Sequence, residues 1–403
     1  MNLLKNGVSI SKRAFLVNAV LFIIFFTLFF VFSYHIIPLV ASSVNNRLMV
    51  QASFHFVIAI SMLATSFFVH KINSVHLICT SSIVIVAMTA LAFILPTPVL
   101  KLIIIFMIGI FFSMGFLAFF TYFWKSTVPE ERGRIAGLIG LAALPFEFVV
   151  DNIIAPSLSF PETIMLSIVL SSGILLVMLL IPPKTMLTAK KWERVNYTEK
   201  RTILLYSIPW LLFSLINMTL AKNSSTNISQ QVLPSFYLIL ISLQLIGVVF
   251  GVIFGGLVAD FFGRRLPLAF SLTLYGISAV IVGLFTNNEL LSFSFLINGL
   301  SWGILFTLYS FVVWGDLANE YNCAKIYSIG LITYYLTAGF GLLTEISMPI
   351  VVSSLASCLL VFLSNIPIAL APELLPSDFR EKIRLAIHMN SVKKISKQSR
   401  NQG

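Results

Sequence analysis

The sequence predicts an all-α integral membrane protein with twelve transmembrane helices arranged as two six-helix bundles. Three observations predict this class. Of the 403 residues, 58% are hydrophobic and only 10% are charged, whereas a soluble domain is about 25% charged. The apolar residues form continuous runs of about 20 residues, the length that crosses a bilayer as a helix, without the alternation of a membrane β-barrel. Finally, several features of the chain recur at one fixed distance.

Each predicted span is an apolar run bounded by polar or charged residues. The first span follows Lys5, Lys12 and Arg13, is too long for a secretory signal peptide and is followed by further spans, so we expect it to be retained. In chain order the predicted spans are 14–40, 50–69, 75–95, 100–123, 134–157, 163–182, 203–221, 236–258, 267–286, 291–314, 326–348 and 350–370.

The distribution of basic residues predicts the orientation. With the N-terminus inside, the cytoplasmic segments hold 23 of the 26 Lys and Arg residues, and only Arg47, Lys101 and Lys222 fall outside. This is the bias of the positive-inside rule, so we predict a multi-pass protein of the cell membrane with both termini cytoplasmic. The net charge of +11 is explained by topology and by a basic tail near anionic lipid headgroups, and we expect no nucleic acid partner.

The longest cytoplasmic connection separates six spans from six and predicts the domain boundaries. We expect an N-terminal bundle at 1–182, a linker at 183–202, a C-terminal bundle at 203–371 and a basic tail at 372–403. An internal duplication is indicated because three pairs are each 190 residues apart. These pairs are Trp124 with Trp314, Glu130 with Glu320 and Gly140 with Gly330.

The stretch GGLVADFFGRR, residues 255–265, places charge at the predicted cytoplasmic end of the eighth span. Its first glycines allow another helix to come close, and Asp260 can meet the positive N-terminal end of a neighbouring helix. Gly263 permits a tight turn, while Arg264 and Arg265 can pair with nearby acids. From these residue types alone, a solvated loop of the positive-inside kind remains an open interpretation.

The pattern Gly-x-x-x-Asp-x-x-Gly-Arg-Arg, starting at Gly256, resembles the loop signature of the major facilitator superfamily, although Phe261 stands where that motif usually has a basic residue. The segment PEERGRIAGL, 129–138, is similar to the family's connection between the fourth and fifth spans. The resemblance implies a secondary transporter in which two six-helix halves rock about a midplane site by alternating access.

In that family the aspartate docks on the N-terminus of a helix from the opposite half, and an arginine one turn later pairs with an acid on a neighbouring span. These contacts latch the cytoplasmic side shut. Carried over, Asp260 is expected at the start of the fifth span near Arg134, and Arg264 is expected to pair with Asp316. The first half lacks all three members, so we expect a weakened second latch; the residues found there are His70, Ser74 and Ser126.

Two carboxylates, Glu147 and Asp151, interrupt the fifth span at positions i and i+4, which share one face of an α-helix. Acids within a membrane are costly, face cavities and often serve in proton relays. The hypothesis is that one of them is the proton-coupling site or pairs with a cationic substrate. The alternative is that both lie near the outer end, where Asp151 meets water. Glu345, in the eleventh span, is interpreted as structural or interfacial.

The resemblance implies that the first, fourth, seventh and tenth spans line a central cavity for a small-molecule substrate. Asn298 and Trp302 are the preferred pair because they are separated by one helical turn and combine hydrogen bonding with stacking. An interhelical hydrogen bond or a lipid-facing aromatic is the alternative role for each candidate. The other candidates are Gln244, Tyr334, Asn217 and Tyr34, with Asn18, His35, Tyr122, Tyr309 and Tyr335 as further possibilities.

The sequence contains no phosphate-binding loop, no HExxH and no nucleophile elbow, so we expect neither an enzyme nor ATP-driven transport. Cys79, Cys323 and Cys358 show no metal or redox spacing, and no cofactor is predicted. We predict a monomeric transporter with protons as the coupling ion and membrane lipid as its surroundings. An uncoupled facilitator and a non-transporting sensor remain alternatives.

Overall fold

The computed structural model describes residues 10–41, 47–69, 72–180, 200–221, 228–229, 232–285, 287–344 and 348–376. Throughout these ranges the regular structure is helical, and twelve helices are long and apolar enough to cross a membrane. The predicted fold class is therefore confirmed. The helices are α1 Lys12–Ala41, α2 Arg47–Ser66, α3 Ser74–Ile94, α4 Pro98–Ser126, α5 Pro129–Ser157, α6 Phe160–Leu180, α7 Lys200–Leu220, α8 Pro234–Phe262, α9 Arg265–Leu284, α10 Asn288–Leu317, α11 Cys323–Leu343 and α12 Ile350–Leu370.

Several helices extend past the apolar spans that hydropathy predicts. Helix α4 continues to Ser126, α5 begins at Pro129 rather than 134, and α8 continues to Phe262 rather than 258. The hydropathy profile marks the end of a predicted span at the first charged residues. The helix itself continues until its backbone is capped or broken. Pro129 suits a first helical position, where the N–H has no partner in any case, and Gly263 ends α8 with a φ of +98°.

The predicted linker between the two sets of six helices ends inside a helix. Helix α7 begins at Lys200, so the last three residues of the predicted linker 183–202 are helical. The rest of that linker from 183 to 199, Glu345 and the tail beyond 376 lie outside the described residues. The division into two bundles therefore remains a prediction of the sequence.

Four helices in the described part of the chain contain a π-helical segment, a rare feature that often marks functional sites. The segment in α1 carries Tyr34 and His35, and the segment in α5 carries Asp151. These two segments bring His35 and Asp151 into contact. The four segments are Val31–Ile36, Val150–Ile154, Asn217–Ala221 and Leu308–Val312.

The first six helices contact the last six mainly through two pairs, α5 with α8 and α2 with α11. The α5–α8 contact depends on glycine, because a Cβ on Gly256 would lie 2.3 Å from the carbonyl oxygen of Gly133. Likewise, a Cβ on Gly137 would lie 2.7 Å from the carbonyl oxygen of Val252. Small residues let membrane helices approach closely, and here they bring two backbones together at one end of the bundle.

Phenylalanines fill the space between α1, α4 and α10 next to this contact. The ring centroid of Phe311 lies 4.6 Å from that of Phe22, 5.5 Å from Phe120 and 5.0 Å from Phe123. All four side chains are buried, and their edge-to-face and tilted arrangements are the ones that aromatic pairs favour. The centre of the bundle is therefore apolar and closely packed on this side.

Replacing Gly256 with alanine is expected to lower the thermal unfolding temperature of the purified protein, because the new methyl group would push α5 and α8 apart. Overpacking of this kind costs about 1–3 kcal/mol. The matched control is Gly276→Ala, whose Cβ would meet Phe362 at 3.4 Å, an ordinary contact. Equal unfolding temperatures for the two variants in the same detergent would contradict the close approach.

Candidate functional site

Asp260, at the end of α8, accepts hydrogen bonds from the backbone near the start of α5. Its Oδ1 accepts from the Gly133 N–H at 2.9 Å, and its Oδ2 accepts from the Arg134 N–H at 2.8 Å. The Arg134 Nε also donates to Oδ2 at 3.1 Å. The Asp260 side chain is only 1% exposed. A buried carboxylate at a helix N-terminus is stabilised by the helix dipole as well as by these donors.

Arg264 links this carboxylate to a second one. Its Nη1 donates to Asp260 Oδ1 at 3.0 Å, and its Nε donates to Asp316 Oδ2 at 2.7 Å. Burial opposes the charge on Arg264, but Asp316 and Asp260 outweigh that effect and hold the pKa of its guanidinium above the usual value. The arrangement predicted for Asp260, Arg264, Arg134 and Asp316 is therefore present as a set of direct contacts.

Two residues that the sequence analysis did not select complete this set. Arg132, on α5, pairs through Nη1 with Asp316 Oδ1, so Asp316 bridges an arginine from each set of six helices. Glu373, which follows α12, accepts from the backbone N–H of Arg264 at 2.7 Å and of Arg265 at 3.2 Å. Arg132 is the first arginine of PEERGRIAGL and could have been selected. Glu373 carries no pattern beyond its charge.

Arg265 is placed differently from the expectation that it pairs with an acid. Its Nε donates to the Ile368 carbonyl oxygen at 3.2 Å, and its Nη2 donates to the Ala369 carbonyl oxygen. These carbonyls lie at the end of α12, where the helix has unsatisfied acceptors and a negative dipole end. Arg265 thus joins the loop after α8 to the end of α12.

The corresponding region of the first six helices has neutral contacts. Ser126, which stands where the acid of the motif would be, accepts a hydrogen bond from Asn18 Nδ2 at 2.9 Å. Asn73 caps α3 by accepting from the Val75 N–H at 3.0 Å, and the buried hydroxyl of Ser74 has no partner among the described residues. His70 lies outside the described residues. A weakened second latch therefore remains a prediction.

The two carboxylates within α5 differ in their partners. Asp151 Oδ1 lies 2.8 Å from His35 Nε2, and these side chains are 22% and 15% exposed. Glu147 is half-buried and accepts no hydrogen bond from the part of the chain that the structure describes. Tyr34, next to His35 on α1, lies near both carboxylates. Asp151 is therefore paired with α1, whereas Glu147 is unpaired among the described residues.

Three of the predicted substrate contacts are engaged between helices instead. Gln244 Nε2 donates to Asn298 Oδ1 at 3.0 Å, and Asn298 Nδ2 donates to the Ser278 hydroxyl at 3.3 Å. The Tyr275 hydroxyl donates to Asn217 Oδ1 at 3.1 Å. These bonds connect α8, α9 and α10, and α7 with α9, which is the interhelical role given above as the alternative.

The remaining candidates separate into two places. Trp302 stacks on Phe306, with ring centroids 5.3 Å apart and an interplanar angle of 13°. Tyr334, on α11, lies near Tyr34 and Glu147, and its ring packs edge-on against that of Tyr335. The structure therefore places Tyr34, Tyr334 and Glu147 near one another, and substrate binding by Asn298 and Trp302 stays a prediction.

Comparison with known proteins places this geometry in a known fold. The family model described as "Sugar (and other) transporter" matches residues 205–314, while no curated protein matches the sequence significantly. FucP, a major facilitator superfamily transporter solved in the outward conformation, has a TM-score of 0.64 and 12% identity over 88% of this chain and 98% of its own.

The proton:xylose symporter XylE, bound to 6-bromo-6-deoxy-D-glucose, has a TM-score of 0.68 and 11% identity over 90% of this chain and 96% of its own. The chain therefore has the fold of the major facilitator superfamily, as the sequence resemblance implied, and it is a multi-pass membrane protein.

Asp316→Asn is expected to destabilise the purified protein by about 3–5 kcal/mol, because it leaves Arg264 and Arg132 buried with one counter-charge fewer. The measurement is thermal unfolding in detergent. Glu320→Gln, at an exposed position four residues later, makes the same chemical change and should behave as the wild type. A variant of Asp316 as stable as that control would show that the bridge is not needed for stability.

Proposed function

We propose that the protein is a secondary transporter that moves a small molecule across the cell membrane by alternating access. The observation that carries this proposal is the contact of Asp260 with the backbone of α5, supported by Asp316 between Arg264 and Arg132. It joins the two sets of six helices at one end through polar contacts, which can separate while each set keeps its own packing. Alternating access requires a closure of this kind on each side in turn.

The strength of this closure fits a reversible gate. Hydrogen bonds to charged groups contribute about 1.5–3 kcal/mol each, so a few of them hold one conformation without making it permanent. A substrate shifts such an equilibrium only through a difference in its affinity for the two states. The positive-inside rule predicts that the closed end is cytoplasmic, which supports an outward conformation of the kind described for FucP.

Protons are the proposed coupling ion, with Glu147 and Asp151 as their site. Asp151 is hydrogen-bonded to His35, whereas Glu147 forms no hydrogen bond or ion pair with the described residues, so the two acids are suited to different roles. Acids in such positions commonly take part in proton relays. XylE is described as a proton:xylose symporter, which shows that proton coupling occurs on this fold.

Asp260→Asn is expected to reduce transport in proteoliposomes at least about tenfold while leaving expression intact. The amide loses the charge that the α5 backbone and the two arginines stabilise, and a charged hydrogen bond is worth about one to two factors of ten in an equilibrium constant. Glu320→Gln serves as the acid-to-amide control at the same end of the bundle. Unchanged transport in the Asp260 variant would remove the latch from the mechanism.

Proton coupling is tested by flux in proteoliposomes with an imposed pH gradient and an internal pH dye, across a panel of sugars, organic acids, amino acids and organic cations. We expect substrate-dependent proton movement that is lost in the double variant Glu147→Gln and Asp151→Asn. Substrate flux without proton movement would indicate a facilitator. Silence across the panel would favour the sensor, whose motivating feature is the neutral contact in the first six helices.

A further inference from the structure

Four polar side chains from α1, α5 and α11 approach one another without hydrogen bonds to the described residues. They are the hydroxyls of Tyr34, Tyr334 and Tyr335 and the carboxylate of Glu147, which we call the tyrosine–glutamate site. Tyr34 and Tyr334 lie near Glu147, and Tyr334 and Tyr335 lie near Tyr34. Ring contacts from Tyr335 through Phe29 and Phe30 to Tyr34 join α11 to α1. The site therefore combines residues from both sets of six helices.

Tyr335 is the most buried of the four residues, so the lack of a hydrogen bond to its hydroxyl is the most informative. Its side chain is only 3% exposed, its ring packs against Tyr334 and Phe29, and its hydroxyl makes no hydrogen bond with the described residues. More than about 90% of buried polar groups in proteins are hydrogen-bonded to protein or water. Three tyrosine hydroxyls and one carboxylate lie near one another without hydrogen bonds to the described residues, and this grouping indicates a site that a ligand completes.

Aromatic rings form the walls of this site. Tyr34 stacks on Phe30 at 5.6 Å, and Tyr335 packs edge-on against Tyr334 at 5.4 Å and against Phe29 at 5.1 Å, all between ring centroids. An organic cation is attracted to the faces of such rings when it lies within about 6 Å of their centroids, and cages of aromatic residues are a known solution for quaternary ammonium groups.

The charges around the site are predominantly negative. His35 is the basic group beside the acids, and it is held by Asp151 at 2.8 Å. His55, whose ring centroid lies 6.4 Å from that of Tyr335, is buried and bonds through its Nδ1 to the Gln51 carbonyl oxygen at 2.8 Å. In the described ranges no Lys or Arg forms an ion pair with either acid. Among the residues that the structure describes, Glu147 thus lacks a counter-ion.

A neutral polyol suits the site less well than a cation does. Sugars are recognised by many hydrogen-bonding groups, but the amides of Gln244, Asn298 and Asn217 are already engaged within the second set of six helices. An unpaired carboxylate among aromatic rings would be left without its counter-charge by a sugar. It would be satisfied by an amine that carries a positive charge.

We propose that the tyrosine–glutamate site binds an organic cation, either a protonated amine or a quaternary ammonium, with Glu147 as its counter-ion. This inference rests on the proposed transport function and names the substrate class for it. Because a proton and the cation compete for the same carboxylate, their binding is mutually exclusive at Glu147. A transporter with this property exchanges one for the other.

The test is equilibrium binding to the purified full-length protein, measured by calorimetry in detergent. The probes are phenethylammonium, its neutral analogue phenethyl alcohol, tetraethylammonium and xylose. We expect the two cations to bind, and we expect Glu147→Gln to weaken phenethylammonium binding at least about tenfold, as for loss of a charge-assisted contact. Glu289→Gln, at an exposed position in the first turn of α10, is the matched control and should bind as the wild type.

Two further measurements keep the proposal testable if Glu147→Gln does not fold. Tyr335→Phe removes one hydroxyl and keeps the ring, so it should weaken phenethylammonium binding several-fold without loss of thermal stability. In the wild type, tetraethylammonium should bind more weakly at lower pH, because its own charge is constant while protons occupy Glu147. Affinity that does not change in either measurement would overturn the proposal.

The outcomes separate this proposal from the proposed function. If phenethyl alcohol binds as tightly as phenethylammonium, or if xylose alone binds, the cation site is overturned while transport of a neutral substrate stands. Cation binding that depends on Glu147 without any flux in proteoliposomes would support the site and overturn transport. Cation binding with flux supports both, and neither binding nor flux overturns both.

Discussion

The structure depends on one constraint: the carboxylate of Asp260 reaches backbone N–H groups of another helix. A backbone donor is reached only when the two helices touch, so the interaction requires glycine on both sides of the α5–α8 contact. That requirement explains why a side chain on Gly133 would lie 2.5 Å from both Asp260 Oδ1 and the Gly256 carbonyl oxygen. The charged contact of Asp260 thus depends on the glycines, because they allow the two helices to come close enough for it to form.

The balance of buried charge then explains why the neighbouring charged residues occur together. A buried ion pair contributes little by itself, but removing one partner is costly because the other remains charged away from water. Arg264, Arg132 and Asp316 are therefore interdependent, with side chains at most 1% exposed. The same reasoning accounts for the first half of the chain, where an uncharged contact between Asn18 and Ser126 replaces the charged one as a whole.

The helices and the main contacts of Asp260 were predictable because they depend on local composition and on a motif with fixed spacing. Arg132 belongs to the segment PEERGRIAGL and was within reach of the sequence, but Glu373 was not, since its partners lie far away in sequence and nothing local distinguishes it from an ordinary loop charge. The polar residues Gln244, Asn298 and Asn217 show a further limit. Their residue types allow substrate binding or interhelical bonding, and only the approach of particular helices decides between these roles.

The π segments change the relation between a residue's position in the sequence and the side of the helix on which its side chain lies. A π turn contains an extra residue relative to an α turn, and one residue corresponds to a rotation of about 100° around the axis. A helical wheel drawn for a regular α-helix from Pro129 to Ser157 is therefore no longer correct beyond Val150, where the π segment begins. Glu147 precedes the π segment and Asp151 lies within it, so their spacing of four residues does not place them on one face as it would in a regular α-helix.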